Sequence, residues 1–285
     1  MTSPCIKWVG GKTKLLPILR ASLPADIKER RYVEPFFGGG ALFFDLQPRN
    51  AYLTDANAKL MAMYFSVGRE PMQVIQELRI LSERHNQMHY YRARNTFNTT
   101  DKLLSDAQRA ALFIYLNKTC FNGLYRVNGN GDFNAPMGDC VTRAICDPQA
   151  IYDVALALGY VEPSQYPIGR NVCLGLGGFP IWELRTYATK NDFIYLDPPY
   201  LPVSKTSNFT SYTKDNFGLQ EHVQLAALFA ELDRRGCKIM LSNCAHPEII
   251  ALYSGFSVKK VEAARSINSD GAKRGPVEEI LVTNY

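Results

Sequence analysis

Four consecutive residues, Asp197-Pro198-Pro199-Tyr200, carry the strongest chemical signal in the chain. A carboxylate and a backbone carbonyl presented together accept two hydrogen bonds from an exocyclic amine, and an adjacent tyrosine offers a face for a base to stack on. Two prolines in a row end a strand and fix the backbone, so these groups are held rigidly. A strand that merely stops in a proline turn accounts for Pro198-Pro199 and leaves the amine-reading set unexplained.

A second constellation is Glu34-Pro35-Phe36-Phe37-Gly38-Gly39-Gly40-Ala41, at a strand-to-helix turn. Glycines there let the backbone approach a ligand, and a helix start favours negative charge. The run lacks the Lys-Ser/Thr ending of a Walker loop and is not a G-x-G-x-x-G dinucleotide turn. Asp55 ends the next strand, about twenty residues on, where a carboxylate accepts hydrogen bonds from ribose hydroxyls. A nucleoside-like cofactor is the implication. The competing reading of Asp55 is a cap for the following helix.

The elements that must position these groups alternate. Arg31 to Glu34 is a short strand ending at Pro35, Ala41 to Asp45 a helix, Ala51 to Asp55 a strand and Asn57 to Val67 a helix, the opening of an open, mostly parallel α/β sheet. From Pro71 to Lys118 the pattern is helical throughout. Ser105 and Gln108 form a capping box for an apolar helix from Asp106 to Lys118. Two extended pieces around Asn128-Gly129-Asn130-Gly131 predict a β-hairpin. A helical cluster plus hairpin inside an α/β chain reads as a recognition module. The α/β pattern resumes with a strand at Asp192 to Leu196, a helix bearing Leu225, Leu228, Phe229 and Leu232, a strand at Lys238 to Leu241 and a helix at Pro247 to Tyr253. Phe256 to Val261 and Val277 to Val282 read as a final, antiparallel pair. Ile145 to Leu176 is placed only loosely.

Composition narrows the class. The chain has 285 residues, 46% hydrophobic and 21% charged, which are ordinary globular values and enough for a core without staples. Seven cysteines contain no C-x-x-C pair, so free thiols are expected. His85 and His89 are four apart without acidic or cysteine partners at metal spacing, so no metal site is predicted. No signal-like stretch and no apolar run of the ~20 residues that span a bilayer occurs, which predicts a soluble, cytoplasmic protein. Net charge is +5. Lys7, Lys12 and Lys14 near one end, and Arg265, Lys273 and Arg274 near the other, make a DNA-facing surface plausible.

The order of motifs resembles the N6-adenine DNA methyltransferases of the Dam family (D12 class, alpha group) over essentially the whole chain. Lys7-Trp8-Val9-Gly10-Gly11-Lys12 precedes Glu34-Pro35-Phe36. Leu116-Asn117-Lys118, Phe121-Asn122-Gly123-Leu124-Tyr125-Arg126, Phe133-Asn134-Ala135-Pro136, Asn208-Phe209-Thr210-Ser211-Tyr212 and Arg265-Ser266-Ile267-Asn268-Ser269 follow in register. The resemblance implies a seven-stranded, Rossmann-like methyltransferase sheet. It also implies a catalytic domain from residues 1–57 and 143–285, with an inserted helical and β-hairpin target-recognition domain at 58–142. It implies S-adenosyl-L-methionine as cofactor, contacted by Trp8, Lys12, Glu34, Pro35, Phe36, Gly38, Gly40, Asp55 and Asp197. Asp197 and the Pro198 carbonyl take the target amine, Pro199 stiffens the turn and Tyr200 stacks on the extruded adenine. Lys7, Asn122, Leu124, Arg126 and Pro136 match positions that read GATC in double-stranded DNA, and Phe121 matches an aromatic wedge. Arg265, Ser266, Ser269 and Arg274 are further DNA-binding candidates. No membrane and no obligatory protein partner is implied. Cys140 departs from the aromatic of a close relative, the hairpin tip Gly129-Asn130 is less basic, and Val161 to Trp182 matches poorly.

Three alternatives remain at this point. The chain could act on cytosine N4 or on adenine in RNA. A nucleotide-binding oxidoreductase uses a glycine loop but leaves Asp-Pro-Pro-Tyr unexplained. A catalytically silent DNA-binding protein fits poorly with every active-site element in place.

Overall fold

The computed structural model describes residues 2–99, 103–139, 144–159, 171–175, 181–201, 217–264 and 276–285. A short helix, α1 (Leu16–Ala21), precedes β1 (Arg31–Glu34), α2 (Ala41–Leu46) and β2 (Asn50–Leu53). A helical block follows: α3 (Ala58–Arg69), α4 (Pro71–Glu83), α5 (Gln87–Thr99), α6 (Asp106–Thr119) and α7 (Pro148–Leu158). Then come β3 (Asn171–Leu174), α8 (Leu184–Tyr187), β4 (Asp192–Leu196), α9 (Leu219–Arg234), β5 (Lys238–Cys244), α10 (Pro247–Leu252), β6 (Ser257–Ala264) and β7 (Pro276–Thr283).

The strands form one seven-stranded sheet in the order β3-β2-β1-β4-β5-β7-β6. Pairing is parallel from β3 to β5, and β7 runs antiparallel between β5 and β6. This is an open, mostly parallel, Rossmann-like sheet of seven strands, as the motif order implies. From β1 the chain moves to one side for β2 and β3, then returns to place β4 on the other. The carboxyl ends of β1 and β4 therefore flank a topological switch point, where open α/β sheets bind ligands.

Side-chain alternation covers both faces. Tyr32, Phe193 and Tyr195 share a core with Leu60, Val74, Ile114 and Ile151 of α3, α4, α6 and α7. Val33, Ile194 and Leu196 face the other way, against Leu225, Leu228, Phe229 and Leu232 of α9. All five residues of β4 are buried, as expected of a central strand covered on both faces. At the opposite end from the switch point, Asp192 accepts two hydrogen bonds from Arg31, at 2.8 and 2.7 Å, tying β4 to β1.

Local chemistry sets the helix starts. Ser105 and Gln108 form the capping box, with Ser105 Oγ accepting from Gln108 N at 3.2 Å and Gln108 Oε1 accepting from Ser105 N at 3.1 Å. Asn57 caps α3 by accepting from Leu60 N at 3.0 Å, so Asp55 is not that cap. The stretch from Pro71 to Lys118 resolves into α4, α5 and α6. The hairpin forms, but as one bridge, Val127 to Phe133, rather than a two-stranded ladder. Its tip closes through backbone and side chain together: Asn128 N donates to the Asp132 carbonyl at 2.9 Å, and Asn128 Oδ1 accepts from Asn130 N at 3.0 Å and Asp132 N at 2.9 Å. Among the described residues no helix is long and apolar enough to cross a membrane.

Candidate active site

The glycine turn and Asp55 meet at the switch point. Gly38 and Gly40 adopt φ of 49° and 64°, the left-handed region that glycine enters without a Cβ penalty. Asp55 Oδ2 accepts from Gly38 N at 2.8 Å, and Oδ1 accepts from Asn57 N at 2.8 Å. One carboxylate thus locks the turn after β1 to the turn after β2. Burial raises the Asp55 carboxyl to about 6, against the opposing pull of these two bonds. Trp8 lies on the loop, and a Cβ on Gly38 would meet its Cδ1 at 2.8 Å. The same ring stacks on Phe113 of α6 at 6.3 Å and packs at a tilt on Tyr125 at 5.5 Å, so it bridges the glycine turn to the helical block. Phe36 packs edge-on against Phe217, 5.7 Å between centroids.

Across the crevice, Asp197 follows β4. Its Oδ1 accepts from Ser242 Oγ at 2.7 Å and pairs with Lys12 Nζ at 2.8 Å. Ser242 also shares a hydrogen bond of 2.9 Å with the Tyr195 hydroxyl. Lys12 is buried, donates to the Gly10 carbonyl at 2.8 Å and lies 4.9 Å from the Tyr200 ring centroid. The Tyr200 hydroxyl donates to Glu279 Oε2 at 2.6 Å. Burial first, and then the Asp197 and Glu279 carboxylates, push the Tyr200 phenol well above its ordinary range, so it stays a donor. Glu34, at the end of β1, is buried and accepts from the Tyr32 hydroxyl at 2.7 Å. Burial pushes its carboxyl well up, the hydrogen bond from Tyr32 opposes this, and Asp197 and Asp55 add to it. Cys5 is buried, and burial raises its thiol to about 12.

The sequence-predicted recognition residues come together on another surface. Lys7, Phe121, Asn122 and Pro136 are exposed, while Leu124 and Arg126 are half-buried. Phe121 N donates to the Pro136 carbonyl at 2.9 Å, joining the two arms. Arg126 donates from Nε to Asn134 Oδ1 at 2.7 Å and from Nη2 to the Asn134 carbonyl at 3.1 Å. Buried Asn117 accepts from Lys7 N at 2.9 Å and donates to the carbonyls of Lys7 at 2.7 Å and Gly123 at 3.3 Å. One side chain therefore fixes Lys7 against the loop that carries Asn122. From α5, Tyr90 and Asn98 hold Ala135 and Phe133. Arg265, Ser266, Ser269, Arg274, Cys140 and Asn208 to Tyr212 lie outside the described residues.

Sequence reading did not single out Ser242, Glu279 or the role of Asn117. Each sits beside another polar residue of its own element, Asn243, Glu278 and Lys118 respectively, so the local pattern does not set it apart.

A family model described as the D12 class of N6 adenine-specific DNA methyltransferases matches residues 8–162 and 183–267. The chain is 39% identical over 298 residues to the type II methyltransferase M.MjaIII of Methanocaldococcus jannaschii, covering 99% of each. It is 38% identical over 285 residues to the type II methyltransferase M1.LlaDCHI of Lactococcus lactis subsp. cremoris, covering 99% of this chain and 95% of that one. Its identity to a DNA adenine methylase of Vibrio cholerae is 31% over 279 residues, covering 97% and 94%.

Proposed function

This chain belongs to the D12 class of N6 adenine-specific DNA methyltransferases, and we propose that it uses S-adenosyl-L-methionine to methylate adenine in GATC within duplex DNA. The observation that carries the reading is the convergence of Asp55 and Asp197 on the two sides of the switch point between β1 and β4. The donor set fits the cofactor. Two left-handed glycines open the turn, Asp55 faces the crevice as a ribose acceptor, and the carboxylate of Asp197 favours a cationic neighbour. The bound cofactor supplies an electrophilic methyl on a positive sulfur.

The protein's part is positioning and electrostatics. Ser242 and Lys12 both contact Asp197 Oδ1, so Oδ2 is the oxygen we assign to the target amine, with the Pro198 carbonyl as second acceptor. These acceptors turn the nitrogen lone pair out of conjugation with the ring and toward the methyl. Tyr200 stacks on the adenine once it has left the helix, a step costing a few kcal/mol. Residues 58–142 serve as the recognition module, with Phe121 as wedge and Lys7, Asn122, Leu124, Arg126 and Pro136 at the bases.

The test is to incubate the protein with unmethylated genomic DNA and labelled cofactor, then map modified bases by sequencing; methylation at another motif overturns the GATC assignment. In the same assay Arg126→Ala is expected to raise activity on sites altered at one guanine relative to GATC. A bidentate arginine–guanine pair is worth about 1–3 kcal/mol, on the order of 5- to 150-fold. Asn134 occupies Nε and one Nη2 hydrogen, so the outward edge of the guanidinium remains for the base. An equal loss on all sites would make Arg126 a phosphate anchor.

Cofactor affinity is expected to depend on pH through Asp55. Ribose hydroxyls donate to the ionised carboxylate, which burial holds near a pKa of about 6. Affinity should be full above that value and decline as pH falls through it. Asp55→Asn should flatten this profile and weaken binding by roughly 5- to 30-fold, about 1–2 kcal/mol. Titration calorimetry between pH 5 and 7.5 checks it; an unchanged profile in Asp55→Asn removes Asp55 from the ribose.

A further inference from the structure

We propose that Glu279 is a positioning residue for methyl transfer, setting the plane of the Tyr200 ring through the 2.6 Å hydrogen bond between the Tyr200 hydroxyl and its Oε2. The inference rests on the reading of Tyr200 as the stacking face for the extruded adenine. Glu279 belongs to β7 and pairs in register with Cys244, at the carboxyl end of β5. Because β7 is antiparallel, its early residues lie at the end of the sheet where the parallel strands deliver Asp197 and Asp55. Strand parity does the aiming. Ile280 and Val282 enter the core beside α9, whereas Leu281 enters the core shared with Tyr195, so Glu279 projects on the Tyr195 side.

A tyrosine on a rigid Asp-Pro-Pro turn still rotates about its two side-chain bonds. Fixing the hydroxyl at the far end of the ring removes that freedom. The Lys12 ammonium, 4.9 Å from the ring centroid, constrains one face further. The remaining face is then presented in one orientation before DNA arrives, which is preorganisation of the kind that raises kcat rather than affinity. Two neighbouring strands thus divide the work: β5 holds Asp197 through Ser242, and β7 holds Tyr200 through Glu279.

The experiment is a double-mutant cycle on the full chain, using a duplex with 2-aminopurine at the target adenine and a matched adenine duplex for turnover. Glu279→Ala is expected to lower kcat on the order of 10- to 100-fold and to change the bound 2-aminopurine fluorescence. The KM for cofactor and the melting temperature should stay near the parent values. Glu279→Gln, which keeps an acceptor oxygen, should recover most of the rate. In a Tyr200→Phe background, which lacks the hydroxyl, Glu279→Ala should add little. Parent kcat in Glu279→Ala overturns the proposal, and so does a loss that adds in full to that of Tyr200→Phe. A loss traced wholly to lower thermal stability also overturns it. Tyr200→Ala separates the two layers: if it retains kcat and the parent fluorescence, the stacking reading fails, whatever Glu279 does.

Discussion

Asp197→Ala is expected to abolish methyl transfer while leaving DNA binding largely intact. The carboxylate is the hub of the site: one oxygen takes both Ser242 and Lys12, and the other is assigned to the target amine. Removing it costs the amine its charged acceptor where charge develops in the transition state. Loss of one such preorganised group lowers kcat by roughly 10²- to 10³-fold. The substitution also strands the buried Lys12 ammonium opposite the incoming amine, like charge near a nitrogen that is becoming positive. The combined loss should therefore reach or exceed the upper end of that range. DNA affinity is set by phosphate and base contacts elsewhere, so it should change only a few-fold. Single-turnover transfer of labelled methyl, beside filter binding of the same duplex, measures both; ordinary turnover in Asp197→Ala would refute the mechanism.

Gly40→Ala carries the largest expected effect on stability. Gly40 caps α2 at φ 64°, and an added Cβ would meet Phe37 at 2.5 Å and Phe44 at 2.8 Å. Both rings are buried and packed on each other at 5.8 Å and on Tyr64, so neither has room to yield. The left-handed backbone costs an alanine about 1–2 kcal/mol. Displacing packed aromatics adds typically 1–3 kcal/mol. The sum, roughly 2–5 kcal/mol, lowers the melting temperature by several degrees in a chain of this size. It should also weaken cofactor binding, because the strain falls on the turn locked to Asp55. Thermal denaturation with and without cofactor tests this; an unshifted melting temperature would mean that the turn relaxes around the new methyl.

The alternation of strand, glycine turn, helix and strand was legible from Arg31 to Val67, because each element carries its own period and its own stop. Asp55 and Asp197 were legible for the same reason: each lies just past the end of a strand. The hairpin was over-read. Its Asn/Gly run favours a tight turn, but Asn128 and Asp132 satisfy the tip locally, and α5 holds the second arm in place of a ladder. Helix α7 was legible in principle, with Asp147 as cap, Pro148 in the first turn and Gly159 at its end, yet the short edge strand β3 after it left the region without a clear period. Residues that act through another side chain were not legible. Glu279, Ser242 and Asn117 gain their meaning from contacts 79, 45 and 110 positions away, a distance no local pattern encodes.

The place of β7 between β5 and β6 bears on how the molecule is made. A ribosome releases β5 and β6 before β7, so β5 can pair with β4 but keeps its other edge open, and β6 waits with no partner strand at all. Such edges invite pairing with other chains, and pairings that await distant sequence form slowly. The same strand delivers Glu279 to Tyr200. The glycine turn, Asp55 and Asp197 are therefore synthesised before β7, and the Tyr200 ring gains its Glu279 anchor only when that strand inserts between β5 and β6. Until β7 is in place, the open edges of β5 and β6 leave the nascent protein exposed to aggregation.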